Sequence, residues 1–172
     1  MASKQTLTNE RKAAPGAVNE LVGPEAKRCN VTALRKATRR VSQLYDAVLA
    51  PCGLRSTQRA ILMHIASAGT PTMGDLAMAL VLDRSALAHN LKPLERDGLV
   101  KLIVDRNDKR SRLVQLTARG EEKLRESLDL WKKAQQCFET AFGAEQARGL
   151  RSSLALISSA EFAHVLEDVT SN

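Results

Sequence analysis

Residues 72–116 read TMGDLAMALVLDRSALAHNLKPLERDGLVKLIVDRNDKRSRLVQL, and this stretch decides the fold. Thr72 with Asp75 three residues later has the form of a capping box. It opens a short helix to about Leu80, with Leu76, Ala77 and Leu80 on its inner face. Val81, Leu82 and Asp83 make a tight connection, and Asp83 is a suitable N-cap for a further helix from Arg84. Leu87, Leu91 and Leu94 recur at helical spacing on the side turned to the preceding helix, and Asp97-Gly98 ends the run. Pro93 removes one backbone bond inside it and predicts a kink. Helix, three-residue turn, helix is the helix-turn-helix pattern. The period then drops from 3.6 to 2. Leu99, Val100, Leu102 and Val104 form one strand-like run, and Leu113, Val114 and Leu116 form another. Between them, residues 105–112 hold no apolar side chain, which reads as a β-hairpin wing with a polar tip.

Outward from this centre the chain is helical. Val31, Leu34, Val41, Leu44, Tyr45, Val48 and Leu49 predict an amphipathic helix that Pro51 stops. Ser56 is the expected N-cap of a helix through Ala68, with Ile61, Leu62 and Ile65 buried and Gly69 as its break. Thr117 is expected to cap a helix carrying Leu124, Leu128, Trp131, Phe138 and Ala141, broken at Gly143. One final helix is expected to carry Leu150, Leu154, Ile157 and Val165. The fold class is therefore mainly α with a small β-hairpin wing: a winged helix-turn-helix domain over 56–117, flanked by dimerisation helices. The first of these lies in 29–55 and the others in 118–172, and residues 1–28 read as a mobile tail.

Composition narrows the function. Lys and Arg number 26 against 19 Asp and Glu in 172 residues, a net charge of +7. The excess is local: 14 basic against 7 acidic residues in 29–117, but 7 against 9 in 118–172. A basic middle segment points to a polyanion partner. Aromatic residues, at 3%, are too few for a base-stacking single-strand binder. No apolar run approaches the roughly 18 residues of a membrane helix, and no signal peptide is evident. Three widely spaced cysteines without a CxxC pair exclude a disulfide scaffold and a zinc ribbon, so no metal or cofactor is expected and a reducing cytoplasm is. His64, His89 and His164 are isolated and no phosphate-binding Gly-rich loop occurs, so nothing supports an enzyme.

An α-helix fits the major groove of double-stranded DNA, and residues near its start reach base edges. Here those are Arg84 (guanine or phosphate), Ser85 (either), Ala86 (a thymine methyl) and His89. Asn90 and Lys92 lie on flanking faces, Lys92 as a backbone contact, and Thr72 joins this DNA-binding set. The wing tip carries Arg106, Lys109, Arg110 and Arg112 against Asp105 and Asp108. An Arg from such a loop suits a narrow minor groove, with Asp108 holding the Arg110 guanidinium in pose. A solvated, merely charged surface competes at every one of these positions.

The runs Leu82-Asp83-Arg84-Ser85-Ala86-Leu87 and Leu94-Glu95-Arg96-Asp97-Gly98-Leu99-Val100, followed by Asp105-Arg106-Asn107-Asp108-Lys109-Arg110, resemble the MarR family of winged-helix transcriptional regulators over roughly residues 29–169. The resemblance implies a homodimeric DNA-binding regulator, usually a repressor released by a small phenolic or other aromatic ligand or by an oxidant. It places the wing arginine on Arg110, its orienting aspartate on Asp108, and recognition contacts on Arg84, Ser85, Ala86, Ala88 and His89. Ala88 and His89 stand where family members often have Thr then Arg, and β-branched Val81 stands where a turn glycine is common.

Helix 31–50 and the helices after 117 carry apolar stripes that so small a winged domain does not cover. Burial against a second copy about a twofold axis would make the operator an inverted repeat with half-sites about 10 bp apart. Folding back within one chain is the competing arrangement. An aromatic effector would find Arg39, Arg40, Tyr45 and Trp131 as a charged and stacking set, ordinary core packing being the competitor for the two aromatics. Similarity to MarR-type peroxide sensors implies a redox pair of Cys29 and Cys137, against inert burial as the commoner fate of cysteine. Sequence-independent architectural binding to DNA is the remaining alternative.

Overall fold

The computed structural model describes residues 28–171. All of the expected tail except Arg28 lies outside them. The order is α1 (Asn30–Leu49), a 3-10 turn (Ala50–Cys52), α2 (Ser56–Ala68), α3 (Met73–Ala79), α4 (Arg84–Arg96), β1 (Val100–Val104), β2 (Arg112–Leu116), α5 (Ala118–Phe142), α6 (Ala144–Ile157) and α7 (Ala160–Ser171). The chain divides into two units at Arg39/Arg40. In the first, the described side chains are all exposed, Val31 and Leu34 among them. The second holds the core.

That core is made by the stripes read from the sequence. Leu62 and Ile65 of α2, Leu76 of α3, Leu87, Leu91 and Leu94 of α4, and Val114 of β2 are at most 2% exposed. Each such side chain contributes about 1.5–3 kcal/mol through burial. The helix starts are held by local side chains. Thr72 Oγ1 accepts the Asp75 N–H (3.0 Å), Asp83 Oδ1 accepts the Ala86 N–H (2.7 Å), and Thr117 Oγ1 accepts the Gly120 N–H (3.0 Å). Each satisfies an orphan donor of a first turn.

Three expectations are corrected. Ser56 does not cap α2: it is the first helical residue, and its N–H donates to Asp46 Oδ1 of α1 at 2.7 Å. Arg112 belongs to β2, paired with Val104, so the wing tip spans residues 105–111. The last helix is two helices, because Ser158 and Ser159 close α6 onto Leu154 and Leu156 while Ser159 Oγ receives the Phe162 N–H of α7. Pro93 lies inside α4, which runs on to Arg96 with Asp97 as its C-cap, where the sequence placed its end.

Val81 takes φ +53° in the turn between α3 and α4, the only non-glycine with positive φ among the described residues. A β-branched side chain there costs more than the about 1–2 kcal/mol of an ordinary L-residue. The turn nonetheless closes, through the Leu82 N–H to the Ala77 carbonyl at 2.9 Å.

Candidate nucleic-acid interface

Burial of Leu87, Leu91 and Leu94 turns the opposite side of α4 outward. Arg84, Ser85, His89 and Lys92 are exposed there, with Ala86, Ala88 and Asn90 half-buried beside them. Asp83 organises the entry to this helix: the Oδ1 that caps Ala86 also accepts the Ser85 hydroxyl at 2.6 Å. These hydrogen bonds, the Ser85 hydroxyl first, hold the Asp83 carboxyl below its usual pKa, so it is ionised. Arg84 folds back over the start of α3, where a Cβ placed on Gly74 would lie 3.4 Å from its Nη2. Thr72 is committed to α3 on both sides, since it also donates its proton to Asp75 Oδ2 at 2.7 Å. To donate to a phosphate it would have to release that carboxylate.

The hairpin pairs β1 and β2 antiparallel, Val100 facing Leu116 and Leu102 facing Val114. It is tied to the helix-turn-helix: the Val114 N–H donates to the Pro71 carbonyl at 2.9 Å, beside a bridge between Thr72 and Leu113. Wing and recognition helix therefore belong to one packed body. At the tip, Asp105 Oδ1 accepts the Asn107 N–H (2.8 Å) and Asp108 Oδ1 accepts the Arg110 N–H (2.9 Å). Such Asx turns rigidify a loop without a core. The expected Asp108 grip on the Arg110 guanidinium is thus a grip on its main chain instead. Arg106, Lys109 and Arg110 stay exposed, none of them in an ion pair among the described residues.

Arg39, Arg40, Tyr45 and Trp131 are the residues expected to hold an aromatic effector. Arg39 and Arg40 are exposed. Tyr45 is half-buried against the core and donates its hydroxyl to Gln135 Oε1. Trp131 packs under a residue the sequence reading missed. The Arg59 guanidinium lies 4.7 Å from the Trp131 ring centroid, and its Nε–H donates to Ser127 Oγ at 3.1 Å. Arg59 is buried, 8% exposed, and makes no ion pair among the described residues. Burial lowers its pKa, but a guanidinium remains charged. It lines a cleft of about 370 Å³ with Met63, Leu116, Leu124 and Leu128, with Glu121 and Arg125 also contributing. The only sequence signal for Arg59 is its place three residues before Leu62 on the buried stripe.

The cysteines divide. Cys52 is buried, its Sγ 3.0 Å from the Leu49 carbonyl oxygen. Cys29 and Cys137 are exposed free thiols. The Thr32 hydroxyl donates to Cys29 Sγ at 3.2 Å and, with the Thr32 and Val31 N–H groups, lowers that thiol's pKa.

Helix-turn-helix, outward polar helix face and cationic hairpin on one body define a winged-helix DNA-binding protein. A sequence model of the MarR family matches residues 53–111. The transcriptional regulator MosR of M. tuberculosis, solved in complex with DNA, is 32% identical over 78% of this chain and 97% of its own, with a TM-score of 0.70. A mutant MarR from E. coli, complexed with operator DNA, shares the fold: TM-score 0.67 and 24% identity over 73% of this chain and 91% of its own. The transcriptional activatory protein BadR of Rhodopseudomonas palustris is 38% identical over 71 residues, 40% of this chain and 41% of BadR. The chain thus spans about two fifths of that relative's length. The protein belongs to the MarR family of transcriptional regulators.

Proposed function

We propose that the protein is a sequence-specific repressor that binds an inverted-repeat operator in double-stranded DNA as a homodimer and is released by a small aromatic acid. The observation that carries the DNA-binding part is the Val114–Pro71 tie, which places the Arg110 wing on the same packed body as α4. Segment 56–117 then grips DNA, while 29–55 and 118–172 pair the two copies. MosR and the E. coli MarR mutant, both solved with DNA, support this reading; BadR is named an activator, and a reporter carrying the operator tests the sign of regulation here. The test of the wing is Arg110→Ala on an operator selected from random duplexes. Affinity is expected to fall about 10–100-fold, with the salt slope reduced by about one per subunit. Unchanged affinity would remove the wing assignment, and a selected-to-random affinity ratio below about 10³ would favour architectural binding.

For release, the Arg59 cleft is the site we favour over the Arg39, Arg40, Tyr45 and Trp131 set. A buried guanidinium without a carboxylate partner is costly, and a carboxylate ligand with an apolar body would neutralise it while filling the cleft. Trp131 is the sole tryptophan and touches Arg59, so its fluorescence reports occupancy. Benzoate is expected to quench it and lower operator affinity, and Arg59→Met to abolish both responses; quenching that survives Arg59→Met would place the ligand elsewhere. A peroxide-responsive reading rests on the exposed Cys29 thiol with its lowered pKa. It requires a sulfenate or a Cys29–Cys137 disulfide in the mass spectrum after mild peroxide, with loss of operator binding.

A further inference from the structure

We propose that Asp83, beyond capping α4, sets the hydrogen-bond polarity of Ser85, so that this position of the recognition helix accepts a hydrogen bond from an exocyclic amino group, adenine N6 or cytosine N4, in the major groove. A serine hydroxyl has one proton and two lone pairs. Here the proton is already given to Asp83 Oδ1 at 2.6 Å, within the short range of a charge-assisted bond, and the same oxygen is anchored by the Ala86 N–H at 2.7 Å. Ser85 is exposed, so its oxygen meets a partner with lone pairs alone. Phosphate oxygens, guanine O6 and N7, and thymine O4 are all acceptors and would have to break the Asp83 bond first. The amino groups of adenine and cytosine are the donors on the major-groove edges. The Asp83 charge acts in the same direction, repelling phosphate and favouring an N–H. Arg84, next along the chain, is a donor only, so adjacent positions on α4 present opposite polarity. Asp83 is a positioning residue in this scheme, acting through Ser85.

The inference rests on α4 being the recognition helix. In the test, the full chain is titrated on the selected operator, and Ser85→Ala identifies the base pair at which preference relaxes. Duplexes are then made with the amino group deleted there, purine replacing adenine or 2-pyrimidinone replacing cytosine. Wild-type affinity is expected to fall about two- to tenfold, the worth of one hydrogen bond, and that of Ser85→Ala to stay level. Asp83→Gly frees the hydroxyl, and glycine is nearly as good an N-cap. This variant is expected to fold, to bind, and to tolerate guanine or thymine, whose major-groove acceptors the freed proton now serves, at the position where wild type requires the amino-bearing base. Wild-type indifference to the deletion, or an undiminished preference of Asp83→Gly for the amino-bearing base over guanine or thymine, overturns the proposal while leaving DNA binding standing. If Ser85→Ala and Arg110→Ala both bind as wild type does, the recognition-helix reading falls with it.

Discussion

Replacing Leu166 and Val169 together with aspartate is expected to convert the protein from dimer to monomer at micromolar concentration and to lower operator affinity by about 10²–10⁴-fold, the range lost when two linked binding events become separate. The expectation starts from exposure. Leu156 is 63% exposed, Val165 55%, Leu166 50% and Val169 70%, with Leu154 and Ile157 beside them in sequence on α6. Isolated exposed apolar residues need no explanation, but six within sixteen residues at the end of a chain do. A second copy covers them in the arrangement proposed above, and a carboxylate buried there without a partner costs several kcal/mol. Neither Leu166 nor Val169 is one of the buried core residues, so the circular dichroism spectrum should keep its helical form. Sedimentation checks the first half of the prediction and operator titration the second. A wild-type monomer, or a double variant that stays dimeric, would remove the twofold operator.

Gly120→Ala is expected to destabilise the fold by about 2–4 kcal/mol and lower the melting temperature by roughly 5–15 °C. Helix propensity alone predicts the opposite, a gain of about 1 kcal/mol, because Gly120 lies inside α5. The close approach decides the sign. A methyl on Gly120 would overlap the Leu99 carbonyl oxygen and stand 3.3 Å from the Leu99 Cα. That carbonyl cannot swing aside, since it accepts the Thr117 N–H at 3.0 Å, while Thr117 Oγ1 donates to the Gly98 carbonyl at 2.6 Å. Relief requires α5 to move off the entry to β1, which strips Thr117 of both anchors. Thermal unfolding monitored by circular dichroism gives the answer directly; a variant melting at or above wild type would show that this junction is loose.

Features made by neighbours in sequence were legible before the fold was known. Thr72, Asp83 and Thr117 each cap the helix expected of them, because the hydroxyl or carboxylate and the N–H it serves are three residues apart. The change of period at Leu99 marked the wing for the same reason. Local reading failed where two patterns overlap. Leu154, Ile157 and Val165 keep helical spacing straight across the Ser158–Ser159 break, with no glycine or proline to announce it. At position 81 the expectation of a turn glycine met a valine that the packed helices on either side hold at positive φ.

The order of elements, the burial stripes, the helix caps and the exposed cationic tip all follow from spacing along the chain, since hydrogen bonds and apolar faces within a helix or hairpin repeat at short fixed intervals. Contacts across long separations do not repeat and leave no such trace. The Arg59 guanidinium over Trp131, the bare approach of Gly120 to Leu99, and the Pro71 carbonyl that ties the wing to the entry of α3 exist only once distant segments are packed together.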